Sequence, residues 1–434
     1  MSIPFADCQS FAGGFAMGAT NAGLELVAKR EHSGGFGVPA MEANRHLLGH
    51  NWKAQESDGR DWEAVDVPVV LGNPPCSFAS TLSTKKFRGA NSPIAYCWRD
   101  LVEFGARCDA DIIVSESVQQ AYNGVLPMMQ GLHALLEEQT GNNYNVYHVL
   151  HDSYAFFGPA IRKRYFFVAS RIPFGIERPD FVPEDQRITI GDVWGDLQAQ
   201  PLAWEHQPYA DEPTRWSKKL RAPSGMVDGH LPAKETPWMR RALDIIDEVE
   251  WNEGDDLSVA SKRYRDATGN LPASWQGPLL EKALAKDLQL GFNTPMRWRW
   301  DRPGRVITGS SLFQIIHPRI PRFITHREAL RMVGFPDAWQ VQGLDSRKAA
   351  AYWGKGITCQ AGEWISSWVK DAVEGHPGSY VGEQMGEREW VIDVTHDWKR
   401  TETERARNRP RVPDDAIPYL GTSDGQEDGR LVRS

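Results

Sequence analysis

Three short stretches carry side chains capable of covalent chemistry. In the first, the apolar run Val69-Val70-Leu71-Gly72 leads into Asn73-Pro74-Pro75-Cys76-Ser77. Proline fixes φ, so a Pro-Pro pair presents the following thiol from a rigid backbone, as a nucleophile requires. In the second, Ile112-Ile113-Val114-Ser115-Glu116-Ser117-Val118, a carboxylate closes another apolar run. Adjacent parallel strands lie about 5 Å apart, so Cys76 and Glu116 can share one pocket as nucleophile and acid. The third, Gly158-Pro159-Ala160-Ile161-Arg162-Lys163-Arg164, places a basic cluster before a further apolar run.

Each stretch has a plainer reading. Cys76 fits a buried small apolar side chain, or an Asn-Pro-Pro turn of amino-group methyltransferases with a thiol where the stacking ring would stand. Glu116 fits a residue satisfying amides at a helix start, and the arginines fit a solvated charge run.

The elements that must position these residues follow from the apolar pattern. Segments 24–28, 67–71, 112–115, 147–150 and 165–169 predict strands, and 38–48, 94–108 and 119–139 predict helices between them. That alternation implies an α/β fold, a doubly wound and mostly parallel sheet, with ligands at the carboxyl ends of its strands. Phe11-Ala12-Gly13-Gly14-Phe15, with Gly18 beyond, follows the first strand. Its glycines let the backbone approach a ligand, though such a turn serves equally as a mere turn. The first part of this domain spans 1–173. From 174 to 316 prolines, charges and tryptophans replace periodicity, which predicts a second, smaller, irregular domain. Residues 317–374 return to the first domain, with Thr325 as a helix N-cap and Glu328 its capping-box partner. The stretch 375–434 reads as a polar tail.

Composition sets outer bounds. The 434 residues carry 49 basic and 57 acidic side chains, a net charge of −8. No apolar run approaches the roughly 20 residues of a membrane span and no leader opens the chain, so a cytoplasmic protein without a membrane partner is expected. The 5 cysteines form no CxxC pair, which argues against a disulfide framework or a metal. The acidic balance disfavours nucleic acid overall. Between residues 292 and 332, however, Arg297, Arg299, Arg302, Arg305, Arg319, Arg322, Arg327 and Arg331 face only Asp301 and Glu328, a local excess suited to phosphates.

Taken in order, the motifs resemble those of the DNA cytosine-C5 methyltransferase family, over about 1–173 and 317–371. Phe11, Ala12, Gly13 and Gly14 resemble its glycine loop for S-adenosylmethionine, and Glu31 stands where an acid holds the ribose. Pro75-Cys76-Ser77 resembles the Pro-Cys-Gln loop, Glu116-Ser117-Val118 the Glu-Asn-Val motif, and Arg162-Lys163-Arg164 the Arg-x-Arg motif. The run from Arg322 through Thr325, Arg327 and Glu328 to Phe335-Pro336-Asp337 matches the late Arg-x-x-Thr-x-Arg-Glu…Phe-Pro-Asp motif. The resemblance implies that Cys76 adds to C6 of a flipped cytosine, Glu116 protonates N3, Arg164 holds O2 and Arg162 supports the site. It also implies a donor along Phe11–Gly14, Glu31, Pro75 and Gly356, with Glu56 or Asp58 at the adenine edge. Double-stranded DNA would be the partner, contacted by Ser77, Arg322 and Arg327 among others, and the enzyme a monomer.

The chain departs from that pattern in the glycine loop, about two residues shorter, at Ser77, at Ala160, at Ser117, and at Lys355 in Gly354-Lys355-Gly356-Ile357, where the family has Asn. An ammonium about 4 Å from a sulfonium is repelled by a few kcal/mol at an effective dielectric near 20. It would instead attract carboxy-S-adenosylmethionine, giving 5-carboxymethylcytosine. Carboxymethyl and ordinary methyl transfer are both expected readings, the second with Lys355 turned outward. Phage-type divergence, a restriction-evasion role and a catalytically silent DNA-binding paralogue remain open.

Overall fold

The structure is a computed structural model describing residues 2–35, 37–76, 96–153, 158–160, 162–180, 182–200, 206–232, 240, 243, 246, 251–270, 295–309, 311–341 and 352–395. The strands of its first half are β1 (Ile3–Cys8), β2 (Leu24–Glu31), β3 (Lys53–Glu56), β4 (Val69–Gly72), β5 (Ile112–Val118), β6 (Asn145–Asp152) and β7 (Lys163–Ser170). Between them run α1 (Gly14–Asn21), α2 (Gly37–Glu42), α3 (Arg45–Leu48), α4 (Tyr96–Arg107) and α5 (Gln120–Thr140). The predicted alternation is realised as an α/β sheet with a mostly parallel strand order.

Apolar residues on both faces of the strands explain why helices cover both sides. Val69, Leu71, Ile112 and Val114 belong to one buried cluster with Phe5, Phe15 and Phe166. Their sequence neighbours Val70 and Ile113 point the other way, among Trp98, Leu101 and Phe104 of α4. Each such side chain contributes about 1.5–3 kcal/mol by leaving water.

The middle of the chain adds α6 (Ile190–Trp194), the antiparallel pair β8 (His206–Pro208) and β9 (Met226–Asp228), α7 (Leu257–Thr268), and the short pair β10 (Met296–Arg297) and β11 (Ile315–Ile316). Trp194 stacks on Trp298 at 5.7 Å between ring centroids, and both lie in the same buried cluster as Phe5 and Phe15. A satellite cluster gathers Ile246, Trp251, Ala260, Ile316 and Phe323.

Helix α8 (His326–Met332) starts with the predicted capping box: Thr325 accepts from the Glu328 amide and Glu328 accepts from the Thr325 amide. Helix α9 (Cys359–Val373) then returns across α1. The contact is backbone to backbone, because a Cβ on Gly18 of α1 would sit 2.4 Å from the Cys359 carbonyl oxygen and the Glu363 amide nitrogen of α9.

The segment expected to be a polar tail joins the sheet through two strands ending at Val394. After α9, β12 (Glu383–Gly386) turns back against β13 (Glu389–Val394), and β13 pairs in parallel with β6. Ile392 and Val394 are buried, Trp390 stacks on Tyr147 at 5.3 Å, and Glu389 meets His148 Nε2 at 2.7 Å. Among the described residues the sheet has nine strands in the order β12-β13-β6-β7-β5-β4-β1-β2-β3. Only β7 and β12 run antiparallel to their neighbours. The rest of the expected tail, 396–434, lies outside the described residues.

Candidate active site

The carboxyl edge of the sheet brings the sequence-predicted acid and arginine together. Glu116 lies near the end of β5 and Arg164 directly follows the start of β7, whose antiparallel course returns it to the same edge. Arg164 Nε is 2.8 Å from Glu116 Oε1, with both side chains nearly buried. Asn73, one residue beyond β4, donates through Nδ2 to Glu116 Oε2 at 2.5 Å and accepts the Ile357 amide through Oδ1 at 3.0 Å. Asn73 therefore joins the acid to the loop that follows Lys355. The sequence signals the Asn-Pro-Pro turn but not the two bonds its asparagine makes.

Cys76 stands half-buried three residues beyond Asn73. Burial raises its thiol above the ordinary range and the Glu116 charge adds to this, while Arg164 and Arg162 pull it down. Glu116 is itself raised by burial, with Arg164 and then Arg162 opposing. A carboxyl so placed holds a proton more readily than a solvated one, which suits an acid that must donate. His151, at the end of β6, is lowered to about 3 by burial and by the two arginines, and its ring stacks on Phe166.

Arg162 is fully buried and fans across the base of the site. It donates to the carbonyls of Ile307 (3.1 Å), Gly354 (3.3 Å) and Gly356. Burial, reinforced by the neighbouring Arg164, lowers its guanidinium to about 9. The residue ties β7 to the Lys355 loop, consistent with a supporting role. Lys355 itself is exposed, with its ammonium 5.1 Å from the Tyr352 ring centroid. Tyr352 in turn packs against Phe11, at 5.8 Å between centroids, and Gly356 lies against Phe11 and Asn73.

The glycine loop occupies the end of β1. Gly13 takes a left-handed φ of 89°, and no side chain caps α1 behind it. Gln9 Oε1 and Asp7 Oδ1 are buried there without a hydrogen-bond partner among the described residues. Phe11 is half-buried, whereas Ala12 is inside the apolar core and Gly14 packs on the Ile357 carbonyl, so these two act through packing. Glu31 ends β2 as a buried carboxylate, raised by burial and lowered in part by Lys29. These residues fit the ribose and amino-acid ends of an S-adenosylmethionine-type donor. At the expected adenine edge, Glu56 is exposed on the outermost strand, and both Asp58 oxygens are taken by Arg60. Pro75 is half-buried beside Cys76, while Ser77 lies outside the described residues.

The expected DNA contacts at Arg322 and Arg327 are corrected by their surroundings. Arg322 forms a two-pronged pair with Glu328 at 2.6 and 2.8 Å and also donates to the Ala199 carbonyl. Burial alone would raise Glu328, yet Arg322 holds it well below the ordinary carboxylate range. Arg327 is fully buried and donates to the carbonyls of Asp228, Pro336 and Trp339. Arg331 is likewise clamped between Asp196 and Asp337. The late motif is an internal lock, and the apparent local positive excess shrinks accordingly. Arg299, Arg302, Arg305 and Arg319 remain exposed.

Comparison with known proteins bears on the fold and the family. No curated protein matches the chain. A solved structure from E. coli, a prophage-encoded protein described as a DNA modification methyltransferase, aligns at a TM-score of 0.62 and 14% identity, covering 86% of this chain and 100% of that one. The Entamoeba histolytica methyltransferase EhMeth aligns at 0.50 and 11% identity, over 86% and 98%. At such identities the likeness establishes the fold. The family model for C-5 cytosine-specific DNA methylases matches residues 3–369, and the chain belongs to that family.

Proposed function

We propose that the protein is a cytoplasmic, monomeric transferase that modifies C5 of cytosine in double-stranded DNA through Cys76. The carrying observation is the bonded set of Asn73, Glu116 and Arg164 at one sheet edge, with Cys76 three residues beyond Asn73 and within reach of their charges. Cys76 Sγ adds to C6 of an extruded cytosine, and Glu116 delivers a proton to N3, making C5 nucleophilic. Arg164 holds the base at O2 while Arg162 keeps the surrounding loops in place. Phe11, Gly13, Glu31, Pro75 and Gly356 would hold a sulfonium donor, whose carbon would be transferred to C5 as its C–S bond breaks and the neutral thioether leaves. Loss of the C5 proton then lets the thiol leave. A duplex containing 5-fluorocytosine should trap the wild-type protein covalently, because fluorine does not leave as a proton does, and Cys76→Ala should abolish both trapping and product. A Cys76→Ala protein that still modifies DNA would overturn Cys76 as the nucleophile, and a wild-type protein that never traps on a cognate site would favour the silent-paralogue reading.

For the donor, we infer carboxy-S-adenosylmethionine and a carboxymethyl product. The charge of Lys355 supports this reading, on a loop whose next residue, Gly356, lies against Phe11 and Asn73. Ordinary methyl transfer from S-adenosylmethionine is the second reading, favoured by the Tyr352 ring over which that ammonium lies. A cation held on an aromatic face, worth about 0.5–1 kcal/mol at an exposed site, can stay clear of the sulfonium. Lys355→Asn should reverse a preference for the carboxylated donor, costing about 1–3 kcal/mol of its binding. The readout is the mass added to cytosine with each donor offered separately and in competition. If wild type adds only methyl and Lys355→Asn behaves the same, the carboxymethyl reading falls.

A further inference from the structure

Beneath the donor loop lies a buried ammonium that the chemistry above does not use. Lys29, in the second half of β2, is completely inaccessible. Its Nζ is 2.9 Å from Asp7 Oδ2 on β1 and 3.2 Å from Glu31 Oε2 at the end of its own strand. It also donates to Ser10 Oγ at 3.3 Å, and that hydroxyl donates to Asp7 Oδ2 at 2.5 Å. One cation thus ties together the end of β1, the loop that carries Phe11 and Gly13, and the carboxylate at the end of β2. Charge adds a second consideration. Two carboxylates touching one ammonium are close neighbours, and in a dry site their repulsion must be offset for both to stay ionised.

We propose that Lys29 is a positioning residue for the donor: it fixes the Glu31 carboxylate, in its acceptor form, toward the ribose hydroxyls while holding the Ser10 loop against it. The inference rests on the reading that this floor binds a sulfonium nucleoside. The groups facing Glu31 are Lys29 on β2, Asp7 on β1, the thiol of Cys97 on α4 and the phenol of Tyr352. Burial and Asp7 push Glu31 toward its protonated form, and Lys29 resists. Burial alone would likewise lower the Lys29 ammonium, yet Asp7 and Glu31 raise it, so it stays charged across the working range. Binding that needs ionised Glu31 is lost as pH falls through the Glu31 titration. Removing the Lys29 charge moves that loss to higher pH, and removing the Asp7 charge moves it to lower pH.

The test is calorimetric titration with S-adenosylhomocysteine, without DNA, from about pH 5 to pH 9. Lys29→Met should weaken binding at neutral pH by tenfold or more and raise the midpoint by about 1–3 units, the scale of a lost adjacent charge. Asp7→Asn should lower the midpoint instead, so the inference remains testable if Lys29→Met does not fold. A residue acting only through packing would not move the two midpoints in opposite directions. Coincident midpoints, or shifts in the same direction, overturn the role of Lys29 while leaving the donor site standing. A wild-type protein that does not bind S-adenosylhomocysteine overturns the donor site and this inference together.

Discussion

Asn73 is the side chain through which the acid and the donor-side loop feel one another, and replacing it separates two effects. Asn73→Ala deletes the bond to Glu116 Oε2 and leaves the buried Ile357 amide without its acceptor. A buried hydrogen bond lost with its partner stranded costs about 1–3 kcal/mol, so the pair should lower stability by about 2–6 kcal/mol. Loosening Glu116, rather than removing it, should slow transfer by roughly ten- to a hundredfold, below the 10²–10⁴-fold typical of losing a general acid. Asn73→Asp keeps an oxygen for Ile357 but sets a second carboxylate against Glu116. Like charges at that distance favour a shared proton and raise the apparent titration of the pair. The alkaline limb of the rate profile, where the acid loses its proton, should therefore move upward in Asn73→Asp. Thermal melts and single-turnover transfer measured across pH give both readouts. An alanine variant as stable and as fast as wild type, with an aspartate variant of unshifted profile, would show that the bridge carries neither load.

Two further outcomes follow from the packing. A chain ending at Gly375 should aggregate or melt far below the full-length protein, because it loses buried Ile392 and Val394 and strips the β6 edge of its partner; a soluble, active truncation would show β13 to be dispensable. Asp100, buried in α4 with His32 Nε2 at 3.4 Å, is raised to about 7 by burial. An acid raised in the folded state destabilises the fold as pH climbs through that value, so Asp100→Asn should raise the melting temperature near pH 8, with a gain that shrinks toward pH 4. A gain independent of pH would point to packing instead.

Much of the catalytic half was legible because its signals are local. Apolar runs such as 112–115 need no distant partner to announce a buried strand, and Thr325 with Glu328 spells out a cap within one turn. What failed depended on partners far along the chain. Arg322, Arg327 and Arg331 look like a phosphate-binding surface until Ala199, Asp228 and Asp196 are brought to them by the fold. The 389–394 strand is flanked by polar sequence, and its character comes from pairing with β6 across some 240 residues of chain. Lys29 reads as an ordinary strand charge, since nothing near it in sequence says that Asp7 will stand 2.9 Å away.

The fan of Arg162 onto Ile307, Gly354 and Gly356 has a bearing on how the enzyme comes into being. The carbonyls that receive that guanidinium leave the ribosome about 145 to 194 residues after it does. Asn73 waits longer still for the Ile357 amide, 284 residues downstream. A nascent chain that has already formed β1 through β7 therefore holds its thiol, acid and arginines without the loops that align them. At a synthesis rate of roughly 5–20 residues per second, that interval lasts tens of seconds at the slow end. Closure of such distant contacts is also the slow part of folding, since chain entropy must be lost before they form. Assembly of these contacts is in this way deferred until the chain has been translated past Ile357.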